Sequence, residues 1–410
     1  MNSVLQFSIM LIFLIVGVKK GRVSLEVATL ISIFLGVLAG CSWVSITGYY
    51  QTSGGGIPPI ELNSNQAEIV SLLFFKATIC LLAGSLLSNI KVFKPASQQS
   101  ASDTSIMKTG FRFSKAIFLS ITAILLIFVL MNFSSLISRD SYLLIAAGSI
   151  SGAIRYLIPL IGIISAWMTF KSNNKLLHFG NYFTCILIEF SAASRSLGIL
   201  LMIFFLFWAS NTVSKFHFFA RVSIGIYLGG VGISQALYLR SQDIHGLLPH
   251  FEQLALNSFS SNAFGNVFGT FLVIIPVTLL GLQVPTPSNY LLTSINPLPG
   301  RLTDWYEIAD DLLLNPWTPT GSIAQLHNLG VVQELTVWIV LGMVLGLLGK
   351  FSSRRDSTLI VSLISTALIL SASLQFLQYS LRAGMRFVYA DILFLFLVNF
   401  YYRKKSQSYK

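Results

Sequence analysis

Long apolar runs, each about 18 residues or more, recur along the whole chain, and a run of that length crosses a hydrocarbon core of about 30 Å as one α-helix. Charged residues make up only 10% of the 410 residues, whereas soluble domains carry about 25%. A soluble protein would have to bury nearly every one of these runs. The sequence therefore predicts an all-α polytopic integral membrane protein.

The apolar pattern predicts about 11–12 transmembrane helices, with boundaries accurate to a few residues. The predicted spans are residues 3–18, 24–48, 67–90, 115–136, 151–170, 177–191, 195–211, 219–238, 329–349, 358–378 and 386–402. We see no internal repeat and no boundary of a soluble domain. Residues 1–410 are therefore interpreted as a single membrane domain.

Basic residues indicate the orientation of these spans. The net charge is +12, but Lys and Arg lie mostly in short segments between apolar runs, as in cytoplasmic loops. This distribution argues against nucleic acid as a partner. It places the N-terminus outside, together with the segment 51–66, which has no Lys or Arg, and a periplasmic loop region, 239–328.

Successive spans place the loops between them alternately inside and outside. If a further apolar stretch, 264–282, crossed the membrane, the rest of the outer loop region would lie in the cytoplasm and this alternation would be broken. Pro276, with glycines on both sides, is compatible with a bent or broken helix. We therefore predict that the stretch is re-entrant or lies along the membrane surface.

Several arginines lie on the predicted outer side, against the usual charge bias. They are Arg195, Arg240, Arg301, Arg382 and Arg386. Arginine binds phosphate through two parallel hydrogen bonds, so a group of arginines at this boundary would suit the diphosphate of a lipid carrier. The alternative for each one is a side chain that extends from a helix end toward the headgroups.

The outer loop region also carries tryptophans and carboxylates between prolines. Trp305 and Trp317 are candidates for sugar binding because indole rings stack on sugar rings, and nearby carboxylates can hold hydroxyl groups. The alternative is an interfacial loop whose tryptophans anchor at the headgroup level.

Charged residues within the predicted spans include Glu26, Lys76, Arg155 and Glu189. Such residues are functional candidates by default. The two glutamates lie near span ends and can be interfacial, and neither Lys76 nor Arg155 has an evident mid-membrane carboxylate partner. This pattern weighs against an ion-coupled transporter.

Motifs for metal and nucleotide chemistry are not found in the sequence. The three cysteines, Cys41, Cys80 and Cys185, form neither a CxxC pair nor a cluster with histidine. We expect no metal and no cofactor.

Four local patterns, in this order, resemble the Wzy-type polymerases, which join oligosaccharide repeat units into O-antigen, capsule or exopolysaccharide chains. They are Ser194-Arg195-Ser196 at the start of a span, Ile295–Gly300 in the outer loop, Thr320–Val332 leading into a span, and Arg382–Arg386 at the start of the last span. Gln325, Leu326 and His327 stand where the family usually has acidic and tyrosine residues.

The resemblance implies a GT-C-like fold in the inner membrane and metal-independent transfer of a glycan from undecaprenyl diphosphate to a second lipid-linked repeat unit. The five outer arginines would then stabilise the departing diphosphate. His327, ranked above Glu307 and Asp304, would be the catalytic base. A chain-length regulator is a candidate partner.

Three other readings stay open at this point. A transferase like the O-antigen ligases would share the fold and the arginines and differ in its acceptor. A flippase or other transporter would depend on Lys76 or Arg155. The third is a structural or sensory membrane protein.

Overall fold

A computed structural model describes most of the chain, which is predominantly helical. The described residues are 2–19, 23–51, 61–88, 111–141, 144, 150–171, 174–210, 214–240, 242–256, 263–298, 300–315, 318–352 and 358–407. The prediction of an all-α protein is confirmed.

The helices are numbered in chain order. They are α1 (Ser3–Lys19), α2 (Leu25–Thr47), α3 (Ser64–Leu87), α4 (Phe111–Met131), α5 (Phe133–Ile137), α6 (Ile150–Lys171), α7 (Lys175–Ser191), α8 (Ser196–Ser210), α9 (Lys215–Leu239), α10 (Leu247–Leu256), α11 (Ala263–Gly281), α12 (Tyr290–Ile295), α13 (Trp305–Asp311), α14 (Ser322–Leu329), α15 (Val331–Ser352), α16 (Thr358–Gln378) and α17 (Leu381–Gln407). Two short antiparallel hairpins pair β1 (Tyr49–Gln51) with β2 (Glu61–Asn63) and β3 (Leu313–Asn315) with β4 (Thr318–Pro319).

Each span predicted from the sequence coincides with one helix, except 115–136, which overlaps both α4 and α5. Within the described residues, four helices are long and apolar enough to cross a membrane, and further apolar helices are shorter. The four are Leu25–Thr47, Ser64–Leu87, Phe216–Ala236 and Val331–Ser352. A membrane protein is therefore supported, and the total of 11–12 crossings stays a prediction.

The chain forms two compact units. Unit 1 comprises Met1–Gln98 and Phe268–Lys410, and unit 2 comprises Gln99–Val267. Unit 1 is thus assembled from the two ends of the chain. The description of residues 1–410 as a single membrane domain and the GT-C-like architecture stay predictions.

Local sequence explains where the helices of unit 1 begin and end. The Ser24 hydroxyl accepts a hydrogen bond from the Val27 N–H at the start of α2. Asn63 and Gln66 form a reciprocal capping box at the start of α3, each bond being 3.0 Å. Gly48 ends α2 with a φ of 74°, a conformation that favours glycine.

Glycines allow α3 and α15 to lie in close contact. A Cβ at Gly84 would collide with the Ile339 carbonyl oxygen, and a Cβ at Gly342 would collide with that of Leu81. Small residues at such an interface let backbones approach, which favours helix association within lipid.

Large aromatic side chains fill the middle of unit 1. Phe34 of α2 packs edge-on against Phe74 at 5.3 Å and against Trp338 at 5.5 Å, measured between ring centroids. Trp338 in turn meets Phe376 of α16 at 6.1 Å. Edge-to-face pairs add to the stability that apolar burial gives, so α2, α3, α15 and α16 share one core.

The stretch predicted as re-entrant or interfacial, 264–282, forms α11, which continues through Pro276. Its side chains pack along α2, where a Cβ at Gly40 would lie 3.3 Å from Leu272 and 3.6 Å from Ile275. The face that includes Ile275 is buried. Whether this helix crosses a membrane stays a prediction.

Unit 2 has its own close helix pair, α8 with α9. A Cβ at Gly229 would lie 3.1 Å from the Gly198 carbonyl oxygen, and Gly232 lies against the Gly198 backbone. The predicted span 115–136 is divided here, because Asn132 separates α4 from α5 and its amide donates to the Phe128 carbonyl oxygen at 2.8 Å.

Candidate functional site

A buried arginine, Arg382, lies in the first turn of α17. We call this end of unit 1, where α16 ends and α15 and α17 begin, the outer end. Arg382 is 1% exposed, and its Nη1 and Nη2 donate to the carbonyl oxygens of Thr293 and Leu298. The guanidinium thus ties the segment around α12 to α17.

The charge of Arg382 is not neutralised within the described residues. No carboxylate there lies within ion-pair distance, and its Nε has no hydrogen-bond partner. Burial, together with the positive charge of Arg386, lowers the pKa of Arg382. Arginine nevertheless stays protonated in proteins, so this end of the unit carries a desolvated cation.

Trp305 and Arg386 complete this cationic corner. The Arg382 Cζ lies 5.1 Å from the centroid of the Trp305 ring, a cation–π arrangement. Arg386, one helical turn further along α17, is exposed. Trp305 is half-buried, and Arg382 lies over one face of its ring.

A buried polar network holds the short helices of the outer end in place. The Tyr290 hydroxyl donates to Gln325 Oε1 and accepts from the Leu381 N–H at 3.1 Å. Gln325 Nε2 donates to Thr320 Oγ1 at 2.9 Å. Burial raises the pKa of Tyr290, so its hydroxyl remains a donor. The network connects α12, α14 and the start of α17.

His327, the predicted catalytic base, contacts a carboxylate. Its Nδ1 lies 2.9 Å from Glu334 Oε2, and the His327 side chain is 32% exposed while that of Glu334 is completely buried. A carboxylate partner selects the tautomer with the proton on Nδ1. The lone pair of His327 then lies on Nε2, which is the arrangement of a histidine base oriented by a carboxylate.

The other predicted carboxylates are on the surface. Asp304 and Glu307 are both exposed at the start of α13, and neither forms an ion pair among the described residues. Arg301 lies in a 3-10 turn, Gly300–Leu302, but its side chain is outside the described residues, as is all of Trp317.

Arg195 and Arg240 lie in unit 2, around the turn between α7 and α8. The Arg240 Nε donates to the Ala193 carbonyl oxygen at 2.9 Å, and Ala193 has a positive φ of 46°. The Nη2 of Arg139 donates to the Ser191 carbonyl oxygen at 2.9 Å. Arginines therefore brace the turn that carries Arg195.

One sequence-based interpretation is wrong. Arg155, for which no carboxylate partner was evident, forms a two-point ion pair with Glu189, with 2.8 Å between Nη2 and Oε2. The two residues lie on α6 and α7. The partner escaped notice because Glu189 was taken as an interfacial residue near a span end, whereas it is completely buried.

The sequence reading also missed two buried carboxylates. Glu334 lies seven residues after His327 in the first turn of α15, and that proximity was a usable signal. Asp391 lies within the last apolar run and is 0% exposed. A lone carboxylate in an apolar run is itself a signal. In the sequence, a lack of acidic residues within the spans counted against a transporter. These buried carboxylates remove that argument.

Comparison of the chain with protein-family models, with curated proteins and with solved structures finds no match.

Proposed function

We propose that this protein is a glycosyltransferase that polymerises undecaprenyl-diphosphate-linked oligosaccharide repeat units into a surface polysaccharide on the periplasmic face. The observation that carries the proposal is the pair Arg382 and Arg386 at the outer end, beside an indole ring and without an ion-pair partner among the described residues. Positive charge without a carboxylate partner suits a ligand that brings its own negative charge.

The arginines would act on the leaving group. In the reaction, a sugar hydroxyl oxygen attacks the anomeric carbon of the growing glycan, and the bond from that carbon to the diphosphate oxygen breaks. The diphosphate leaves with the electron pair. Arg386, which is exposed, would bind it directly, whereas buried Arg382 would position the loop and stabilise developing negative charge through space.

His327 would accept the proton of the attacking hydroxyl on its Nε2. Glu334, bonded to Nδ1, would orient the ring and stabilise the imidazolium that forms. Glu334 is thus a positioning residue. Trp305 and Trp317 remain proposed contacts of the sugar chain, and Glu307 and Asp304 remain the lower-ranked candidates for the base.

The roles of Arg195, Arg240 and Arg301 in diphosphate binding stay predictions from the sequence. Two alternatives remain. A ligase-like transferase would use the same groups with a different acceptor. A transporter of lipid-linked sugars is favoured by one observation, the buried carboxylates Glu26 and Asp391.

The test is the glycan profile of a deletion strain complemented with wild type or with single variants. We expect single repeat units on the surface lipid of the deletion strain and long chains with wild type. Arg386→Ala and His327→Ala should be made in normal amounts and fail to restore long chains. Arg221→Ala and His217→Ala on α9 are the matched controls and should restore them.

Other profiles would overturn the proposal. Lipid-linked repeat units retained on the cytoplasmic face of the deletion strain would identify a transporter. Full-length polymer still attached to its carrier would identify a ligase. Long chains made by both Arg386→Ala and His327→Ala would exclude the outer end as the reaction site.

A further inference from the structure

Two completely buried carboxylates meet inside unit 1, about 13 Å along α17 from Arg382 at 1.5 Å per residue. Glu26 of α2 is 1% exposed and Asp391 of α17 is 0% exposed. Ser365 of α16 lies between them, with its Oγ 2.8 Å from Asp391 Oδ2 and 3.2 Å from Glu26 Oε1. The Ser352 hydroxyl donates to the same Glu26 oxygen at 2.7 Å.

Neither carboxylate has a cationic partner in the described part of the chain. The other described titratable or charged side chains on the helices packed around them are Cys41 on α2, Glu68, Lys76 and Cys80 on α3, Glu334 and Lys350 on α15, and Arg382, Arg386 and Tyr389 on α17. The nearest of these to Ser352 in sequence, Lys350, donates to the Ser88 carbonyl oxygen. α16 has no charged residue.

Two adjacent negative charges in this position would be very costly. Moving one carboxylate from water to a low-dielectric interior without compensation costs many kcal/mol, and a second charge nearby adds repulsion. The pair must therefore be neutralised at least in part by something that the described side chains do not supply.

A count of the hydrogens available for hydrogen bonding points to a proton as the neutralising species. Ser365 has one hydroxyl hydrogen, and it contacts two carboxyl oxygens. Its hydrogen serves the shorter contact, to Asp391, so the contact with Glu26 lacks a hydrogen if both groups are ionised. One added proton on the Glu26 carboxyl completes the chain from Glu26 through Ser365 to Asp391.

A separate oxygen also lacks a partner. Asp391 Oδ1 is buried with no hydrogen-bond donor among the described residues. The second oxygen of the other carboxyl group, Glu26 Oε2, lies against Gly349. A side chain at position 349 would collide with this oxygen. The glutamate therefore lies close to the α15 backbone.

We propose that Glu26, Ser365 and Asp391 form a proton-binding site in which the two carboxyl groups share one proton at neutral pH. The site is independent of the proposed polymerase activity. Glu189 is the contrasting case, because this buried carboxylate has a cationic partner, Arg155.

The test uses the purified full-length protein in lipid nanodiscs. At pH 7 we expect the infrared carbonyl band of a protonated, buried carboxyl group, which the double variant Glu26→Gln/Asp391→Asn should lose and Glu189→Gln should keep. A hydrophobic carbodiimide, which reacts with protonated carboxyls, should label Glu26 or Asp391 and leave Glu189 unlabelled. The labelling should diminish as the pH is raised.

Absence of that band in wild type, or a band unchanged in the double variant, would overturn the proposal. So would labelling that Na⁺ blocks and K⁺ does not at constant pH, because the site would then hold a metal cation. The amides of Gln and Asn can fill the same hydrogen bonds, so the double variant should fold. If it does not, the labelling of wild type decides alone.

Discussion

Arg155 and Glu189 face each other within unit 2 as a two-point ion pair, with 2.8 Å between Nη2 and Oε2 and with Glu189 completely buried. Breaking a buried pair by removing one partner leaves an uncompensated charge, which typically costs about 3–5 kcal/mol. Replacing both partners with apolar residues costs much less.

We therefore expect Arg155→Met and Glu189→Met each to destabilise the protein by about 3–5 kcal/mol, and the double variant to recover most of that loss. Thermal unfolding of the four proteins in one detergent forms the double-mutant cycle. Additive losses in the double variant would contradict the pairing.

Gly342→Ala should weaken the contact between α3 and α15 because the added Cβ collides with the Leu81 backbone. The expected loss is about 1–3 kcal/mol, as for overpacking elsewhere. Gly180→Ala in α7 is the matched control, since nothing lies within 4 Å of its Cβ position. This control should be neutral or more stable by up to about 1 kcal/mol. Equal effects at both sites would contradict the close approach.

Lowering the pH from 7 to 5 should destabilise the protein through His250, which lies outside the predicted spans. Burial, with smaller contributions from the nearby His245 and Arg139, lowers the pKa of this histidine from its ordinary value to about 4. Between these two pKa values the unfolded chain binds a proton that the folded protein does not, so stability is present at neutral pH and is lost as the pH falls.

Between pH 7 and pH 5 the expected loss from this titration is about 2 kcal/mol, most of it below pH 6. The measurement is the thermal midpoint at pH 7 and pH 5 for wild type and His250→Gln. Glutamine can donate to the Phe190 carbonyl oxygen, as His250 Nδ1 does at 2.9 Å. We expect a smaller pH dependence for His250→Gln, whereas His217→Gln, at an exposed position, should behave as wild type.

Arg382→Lys should destabilise the outer end by about 1–3 kcal/mol, because an ammonium group cannot serve both carbonyl oxygens that the guanidinium reaches. Arg386→Lys, at an exposed position on the same helix, should leave the unfolding midpoint unchanged. Similar midpoints for the two variants would show that the contacts of Arg382 with Thr293 and Leu298 contribute nothing to stability.

The apolar pattern was sufficient to locate the long helices, because a run of this length has few structures in which every backbone group is hydrogen-bonded in lipid. Two short helices of the outer end, α12 and α14, were not predicted. α12 and α14 depend on distant contacts, such as Tyr290 with Gln325, that no local pattern encodes.

The candidate site was predicted in part. His327 and Arg382 were predicted as site residues because of their chemistry and their position near motifs. Glu334 was not predicted, because a glutamate at the start of a helix is common. Arg155 and Glu189 were both noticed and were not paired. Pairing across helices depends on packing angles, and residue spacing along the chain does not report them.

The discontinuity of unit 1 has a consequence for biogenesis. α3 is complete at Leu87, while its partner α15 begins at Val331. At ordinary rates of translation the interval is on the order of tens of seconds. During that time the face of α3 that carries Gly84 has no α15 to pack against. The first three helices must therefore persist as a partial assembly until α15 has been made.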